Sequence, residues 1–366
     1  MVRALAVLAV LGRHMLEPPK SLGWAREPLL VWKRCGWAGV DLFFVLSGFL
    51  VSGLLFAEYR QHGSLRPVRF LIRRGFKIYP AFYVLILLTV VWRLAAGELA
   101  WKSVLVEVFY VQNYFFWDAL WTHTWTLAVE EHFYLCLAAA LPLMARRGGD
   151  DPFARWMPAV GLTILAIQGW RTVQLSVQPH YDVYYDSHHR FDALLMGLML
   201  SWMWRYRSDL VDRWVRPHAW RWLGLGAALW VPVLVGKDVL WSESTGGIGT
   251  FLLDLGCASG LAGLLCVPAP TALDRLRPVW TALARMGFFS YSIYLWHIPV
   301  RDAVRWVQPT VEGPEWYLRE GTYMALSILV GILAARLIEL PVLKVRERWY
   351  PSRSRGSLTE QPTHRG

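Results

Sequence analysis

Within stretches that are otherwise apolar, the sequence carries His14, Asp41, Glu130, Glu131, His132, Arg190, Asp192, Asp254, His297, Arg336 and Glu339. An ionisable side chain in hydrocarbon is costly. Each therefore marks either a functional centre or an ion pair that holds helices together. Imidazole titrates near neutral pH and can accept a proton, while guanidinium groups bind anions. Acids, bases and guanidinium groups converging from several helices favour a catalytic or transport centre over purely structural pairing. A second group is basic: Arg73, Arg74 and Lys77 lead into Ile78, Tyr79 and Pro80. Arg74 and Lys77 are three residues apart and share a face if helical. The pair suits a phosphate-rich ligand. Basic-loop topology or contact with lipid head groups explains the same charges.

The elements that must position these residues are read from composition. The chain has 366 residues, of which 55% are hydrophobic, 14% aromatic and only 18% charged, with 22 Trp. Its mean hydropathy is +0.32. Soluble domains carry about 25% charged residues. The composition excludes a disordered chain, a disulfide-stapled miniprotein and an ordinary soluble enzyme. It fits a polytopic membrane protein, in which Trp and Tyr collect at the interfaces. Cys35, Cys136, Cys257 and Cys266 are widely spaced and form no CxxC pair, so neither a zinc knuckle nor a disulfide framework is expected. No cleavable signal peptide is evident.

A helix needs roughly 20 residues to cross the hydrocarbon core. Apolar runs predict ten spans, at about 1–16, 37–57, 78–96, 126–145, 156–171, 191–206, 220–236, 247–267, 286–307 and 322–340. The segment 101–125 is aromatic without a clean apolar run, and a re-entrant or interfacial stretch is expected there. The first span is the weakest and would sit better with a turn or two upstream. With this count, 24 Lys and Arg fall on the side of the N-terminus and 13 on the other. The positive-inside bias then places both termini in the cytoplasm. It also explains the net charge of +11 without nucleic acid. The expected fold is all-α, a transmembrane bundle over 1–345 followed by a disordered cytoplasmic tail over 346–366. This topology places His14, Asp41, Glu130, Glu131, Arg190 and Asp192 on the outer half of the bundle, with His297 closing the group from below.

In order along the chain, these segments resemble the acyltransferase 3 family of integral membrane O-acyltransferases. RALAVLAVLGRH resembles its Arg-x10-His helix, here Arg3 and His14. GWAGVDLFFVLSGFLVSGLL, with Asp41, Ser47 and Gly48, is similar to its second helix. RRGFKIYP is similar to its Arg-x-x-Arg element, and WTHTWTLAVEEHFYL to its Trp-Ser-Leu-x-Val-Glu-Glu-Gln-Phe-Tyr segment. RFDALLMG, SYSIYLWHIP and Ile338, Glu339, Leu340, Pro341 also fit. Two residues depart from the pattern. Lys77 stands where the second arginine is expected and lacks the bidentate fork. His132 stands for the glutamine. The esterase-like C-terminal domain of some relatives is not expected here.

The resemblance implies a multi-pass acyltransferase of the bacterial plasma membrane. Its co-substrate would be cytoplasmic acyl-CoA, commonly acetyl-CoA, with no permanently bound cofactor and no metal. Its acceptor would be a sugar hydroxyl on a surface glycan, a glycolipid or a glycosylated small molecule. It assigns catalysis to His14 and donor contact to Arg74 and Lys77, with Arg73 beside them. In that chemistry a neutral imidazole takes the hydroxyl proton. Glu130 or Glu131 would orient the ring. Arg190, Ser47 or His297 would stabilise the oxyanion, and Arg3, Asp41 and Asp192 would support the site. A proton-coupled transporter would carry the same buried groups, but it needs no phosphate grip beside a buried base.

Overall fold

The structure is a computed structural model that describes residues 1–178, 181–235, 246–267, 277–309, 313 and 315–353. Among them all regular structure is helical. In chain order the helices are α1 (Val2–Arg13), α2 (Arg26–Cys35), α3 (Ala38–His62), α4 (Pro67–Ala95), α5 (Trp101–Val108), α6 (Trp125–Ala145), α7 (Met157–Val177) and α8 (Ser187–Tyr206). The single turn α9 (Ser208–Leu210) precedes α10 (Ala219–Val235), α11 (Gly246–Cys266), α12 (Arg277–Phe288), α13 (Ser290–Val307), α14 (Glu315–Ala334) and α15 (Leu340–Trp349). A π-helical stretch, Ala335–Glu339, joins the last two into one rod.

Each of the ten expected spans coincides with a helix. Among the described residues, five helices are long and apolar enough to cross a membrane: Ala38–His62, Pro67–Ala95, Thr122–Ala145, Ile248–Cys266 and Glu315–Trp349. That makes the chain a multi-pass membrane protein. The other expected spans fall short for physical reasons. With 12 residues, α1 is about 18 Å long at about 1.5 Å per residue, against a hydrocarbon core of about 30 Å. Arg190, Asp192 and Arg205 interrupt α8, and Arg301, Asp302 and Arg305 interrupt α13. The segment 101–125 does not form a span. It is the short α5 followed by 3-10 turns at Phe116–Asp118 and Thr122–Thr124.

The centre of the bundle is α3. Its most apolar stretch is 72% buried, against 33% for α4 and 28% for the α14–α15 rod. The last two therefore lie at the periphery, and α4 exposes Leu87, Leu88, Val91 and Trp92. Small residues set the closest packing: a Cβ on Gly48 would fall on the Leu194 carbonyl oxygen, and one on Gly197 on that of Val45. Glycine at both positions lets the α3 and α8 backbones touch.

Order continues past residue 346, where a disordered tail was expected. Helix α15 runs to Trp349, and residues 350–353 fold back onto α4. Trp349 and Tyr350 set their rings against Phe76, with centroids 6.2 and 6.1 Å away. Arg69 Nη2 donates to the Pro351 carbonyl at 2.6 Å, and Arg353 pairs with Glu58 at 2.8 Å. Aromatic contacts and cationic donors for the carbonyls compensate the ordering of these residues. Residues 354–366 lie outside the described residues. The four cysteines are free thiols.

Candidate active site

The first turns of α4 build a basic pocket. Helix α4 opens with Pro at its first position, where the missing N–H costs nothing. Arg73, Arg74 and Lys77 thus fall on a regular helix. They line a cavity of about 360 Å³ together with Arg69, Arg346 and Arg353, over an apolar floor that includes Leu54 and Phe70. Most of these cations are already engaged. Arg73 pairs with Glu347 at 2.9 Å and donates to the Tyr350 carbonyl. Lys77 pairs with Glu339, which is buried and also accepts from Ser292 Oγ at 2.9 Å. Arg346 shares Glu347. Arg74 makes no ion pair among the described residues; its guanidinium lies over the rings of Phe70 and Tyr134, at 5.8 and 5.6 Å. It is the cation most open to an incoming anion.

A cluster of three histidines lies at the far end of α1. His14 caps the helix C-terminus. The helix end is fixed by Arg305 Nη2, which donates to the His14 carbonyl at 3.0 Å, and by the Tyr323 hydroxyl, which donates to the Leu11 carbonyl at 3.2 Å. These bonds satisfy carbonyls that a helix end leaves open. The His14 ring faces His297 with centroids 5.0 Å apart, and His297 faces His123 at 5.1 Å. His297 Nδ1–H donates to the Tyr294 carbonyl, which leaves Nε2 as a lone pair, buried and without a partner among the described residues. His123 Nε2–H donates to the Leu295 carbonyl at 3.0 Å, and its Nδ1 has no partner among those residues either. These tautomers are assigned from the carbonyl partners. Arg301 Nη1 donates to His14 Nδ1 at 3.4 Å.

The carboxylates do not join His14 as expected. No hydrogen bond or ion pair links His14 to Glu130 or Glu131 among the described residues. Ser47 Oγ donates to the Tyr134 hydroxyl at 2.7 Å, which donates in turn to Glu130 Oε2 at 2.9 Å. Arg3 and Arg74 are the cations acting on Glu130. Glu131, one residue on and turned about 100° around the helix, accepts from the Tyr79 hydroxyl at 3.0 Å. The reason is depth. Glu130 lies seven residues beyond His123, about 10 Å along a helix, towards the pocket end of α1. His132 is drawn off elsewhere and shares a hydrogen bond with Ser187 Oγ at 2.6 Å.

The expected single convergence of Asp41, Arg190 and Asp192 with His14 is also divided. Arg190 pairs with Asp41 and lies 3.9 Å from Asp254, tying α3, α8 and α11 together. Arg171 pairs with Asp192 between α7 and α8. Arg190 also stacks over Tyr184 at 4.9 Å. This is a fully buried charge network beside the histidine cluster and separate from it.

Sequence reasoning missed His123, Arg301, Arg346, Arg353, Arg171 and Tyr134. A histidine between Trp121 and Trp125 was a readable signal for His123. The arginine partners are set by long-range packing and had none.

Comparison with known proteins identifies the family of the chain. The model of the acyltransferase 3 family, described as an acyltransferase domain, matches residues 1–336. The chain is 27% identical to the peptidoglycan O-acetyltransferase OatA of Listeria monocytogenes, over 94% of this chain and 55% of that protein. It is 26% identical to a putative O-acetyltransferase of Staphylococcus aureus strain COL, over 96% and 58%. It is 27% identical to the putative peptidoglycan O-acetyltransferase YrhL of Bacillus subtilis, over 93% and 54%. The chain thus spans a little over half the length of these relatives. No solved structure matches it. The matched family model runs from the Arg3–His14 helix into the last apolar rod, over more than nine-tenths of the sequence, and the chain belongs to the acyltransferase 3 family.

Proposed function

We propose that the chain transfers an acetyl group from acetyl-CoA, held by its phosphates at the basic pocket on the cytoplasmic side, to a sugar hydroxyl at the histidine cluster. The relatives named as peptidoglycan O-acetyltransferases favour a peptidoglycan sugar as acceptor. One observation carries the reading: α1 bridges the two sites. Arg3 at its start brings its charge within electrostatic reach of Glu130, as does Arg74 of the pocket. His14 at its end meets His297 and Arg301. The eleven-residue separation corresponds to about 16 Å, a gap suited to the long, thin pantetheine arm. The cofactor's head then stays at the pocket while its thioester reaches the cluster.

In this reaction the acceptor oxygen attacks the thioester carbonyl carbon as its proton passes to an imidazole. The C–S bond then breaks, and the imidazolium returns the proton to the leaving thiolate, giving the ester and free CoA. Arg301, which pairs with Asp302 at 2.7 Å and reaches His14, would stabilise the oxyanion of the intermediate. Protein reconstituted in nanodiscs, with labelled acetyl-CoA and peptidoglycan fragments, tests the reading. Acceptor-dependent release of CoA and labelled ester is expected. Proton-coupled flux of a solute with no CoA release would overturn it in favour of a transporter.

A further inference from the structure

At the head of α8, at the end of the α3–α8 pair opposite the basic pocket, Asp186, His188 and His189 bring one carboxylate oxygen and two ring nitrogens within 4.8 Å of one another. Two features of this cluster lack an ordinary explanation. His189 is completely buried, yet neither of its ring nitrogens has a hydrogen-bond partner among the described residues. A buried imidazole left that way loses its hydration with nothing in return. Asp186 occupies the N-cap position of α8, where an Asp side chain ordinarily accepts from the first backbone N–H groups, but its side chain makes no cap bond. Its carboxylate instead accepts from the Tyr181 hydroxyl, which leaves lone pairs for another partner. The His188 and His189 rings lie 4.1 Å apart.

We propose that Asp186, His188 and His189 bind a divalent transition-metal ion. Two imidazoles and a carboxylate are the donor set of three-ligand zinc sites, which keep a fourth position open. In a tetrahedral site with bonds of about 2.0–2.2 Å, the ligand atoms stand roughly 3.4 Å apart. His188 is exposed, so a change in its side-chain rotamer closes the remaining distance. The carboxylate offsets part of the ion's charge. The nearby guanidinium of Arg171 is paired with Asp192. The outer partners resemble those that orient metal ligands: Tyr181 on Asp186, and the Tyr114 hydroxyl 3.3 Å from His188 Nδ1. An ion here would clamp the 181–186 segment to the head of α8. It would sit next to Ser187, which Asn113 and His132 hold from two other segments.

The test uses the full chain, purified without a polyhistidine tag, stripped with chelator and titrated with Zn²⁺. One zinc per chain should remain after desalting, with nitrogen and oxygen neighbours at about 2.0–2.2 Å by X-ray absorption. Chelation should lower the Tm of the wild type. His188→Ala changes an exposed side chain, and Asp186→Asn keeps the side-chain size and an oxygen that can accept from Tyr181, so both should fold. Each should weaken zinc binding by at least about tenfold and abolish the effect of chelation on Tm. No stoichiometric zinc in the wild type would overturn the proposal, as would wild-type affinity in both variants. His188→Gln with a wild-type elution profile serves if the alanine variant does not fold.

Discussion

Lys77 on α4 and Glu339 at the end of the π-helical stretch form an ion pair across 262 residues of sequence, and the carboxylate is almost entirely buried. The pair ties the last rod of the bundle to the wall of the basic pocket. Lys77→Met leaves a buried carboxylate unpaired, a change that costs about 3–5 kcal/mol in buried pairs. A clear fall in Tm is expected, with part of it regained on adding Glu339→Gln. The measurement is thermal unfolding of the three variants in one detergent. Additive losses would show that the two side chains do not stabilise one another.

Arg74 is the sharper test of the donor site, because among the described residues it is held by no ion pair and lies over aromatic rings. Arg74→Ala should weaken acetyl-CoA binding by about 1.5–3 kcal/mol, the range for a hydrogen bond to a charged group. Arg73→Ala should do less, since Glu347 and the Tyr350 carbonyl already hold that guanidinium. Calorimetry with acetyl-CoA on folded variants reads both. Equal affinities for wild type and Arg74→Ala would return the cluster to a topological or lipid-contact role.

Glu107 on α5 gives a pH prediction outside the spans. Burial pushes its carboxyl up to about 7, against the opposing pull of the Trp121 N–H and the Thr124 hydroxyl. The folded value lies above the unfolded one. The contribution to stability is therefore full below about pH 4.5 and is lost as pH rises through 7. At about 1.4 kcal/mol per unit the loss is at most about 3.5 kcal/mol. Glu107→Gln should raise Tm at pH 8 and leave it nearly unchanged at pH 4.5. A variant less stable than wild type at pH 8 would contradict the assignment.

The helices were legible because apolar runs of this length have few alternatives. Their edges were less so. α4 begins at Pro67, well before its apolar run, since Arg69, Arg73, Arg74 and Lys77 are good helix formers that need no hydrocarbon. The shared face of Arg74 and Lys77 followed from spacing alone, and both do line the pocket. The partner of Glu130 did not follow, because neighbouring residues on a helix point about 100° apart. Which of them faces α1 depends on a rotation that packing sets. Tyr134 and Tyr79 take the two carboxylates before any histidine can. The Asp186, His188, His189 group had no recognisable ligand spacing, since a turn entering a helix brings it together.

The histidine cluster yields the most demanding prediction. His14 and His297 come from opposite ends of the chain and face one another 5.0 Å apart, with His123 behind His297. Arg301 donates to Nδ1 of His14, while Nε2 of His297 is a buried lone pair with no partner among the described residues. If the acceptor proton passes to Nε2 of His297, or to Nδ1 of His14 once Arg301 turns away, the two imidazoles act as one unit. His14→Ala should then lower acetyl transfer by about 10²–10⁴-fold, the usual contribution of a positioned base. Acetyl-CoA affinity should stay near wild type, because the pocket lies at the other end of α1. His297→Ala should cost a comparable factor, and the double variant should lose little more than the worse single one, as expected for residues acting as a unit. The measurement is the rate of ester formation under saturating acetyl-CoA, with binding checked separately. A large loss in His14→Ala and almost none in His297→Ala would assign the base to His14 alone and leave His297 as the residue that packs against it. The reverse result would place the base on Nε2 of His297. Near wild-type rates in both folded variants would remove the cluster from the chemistry.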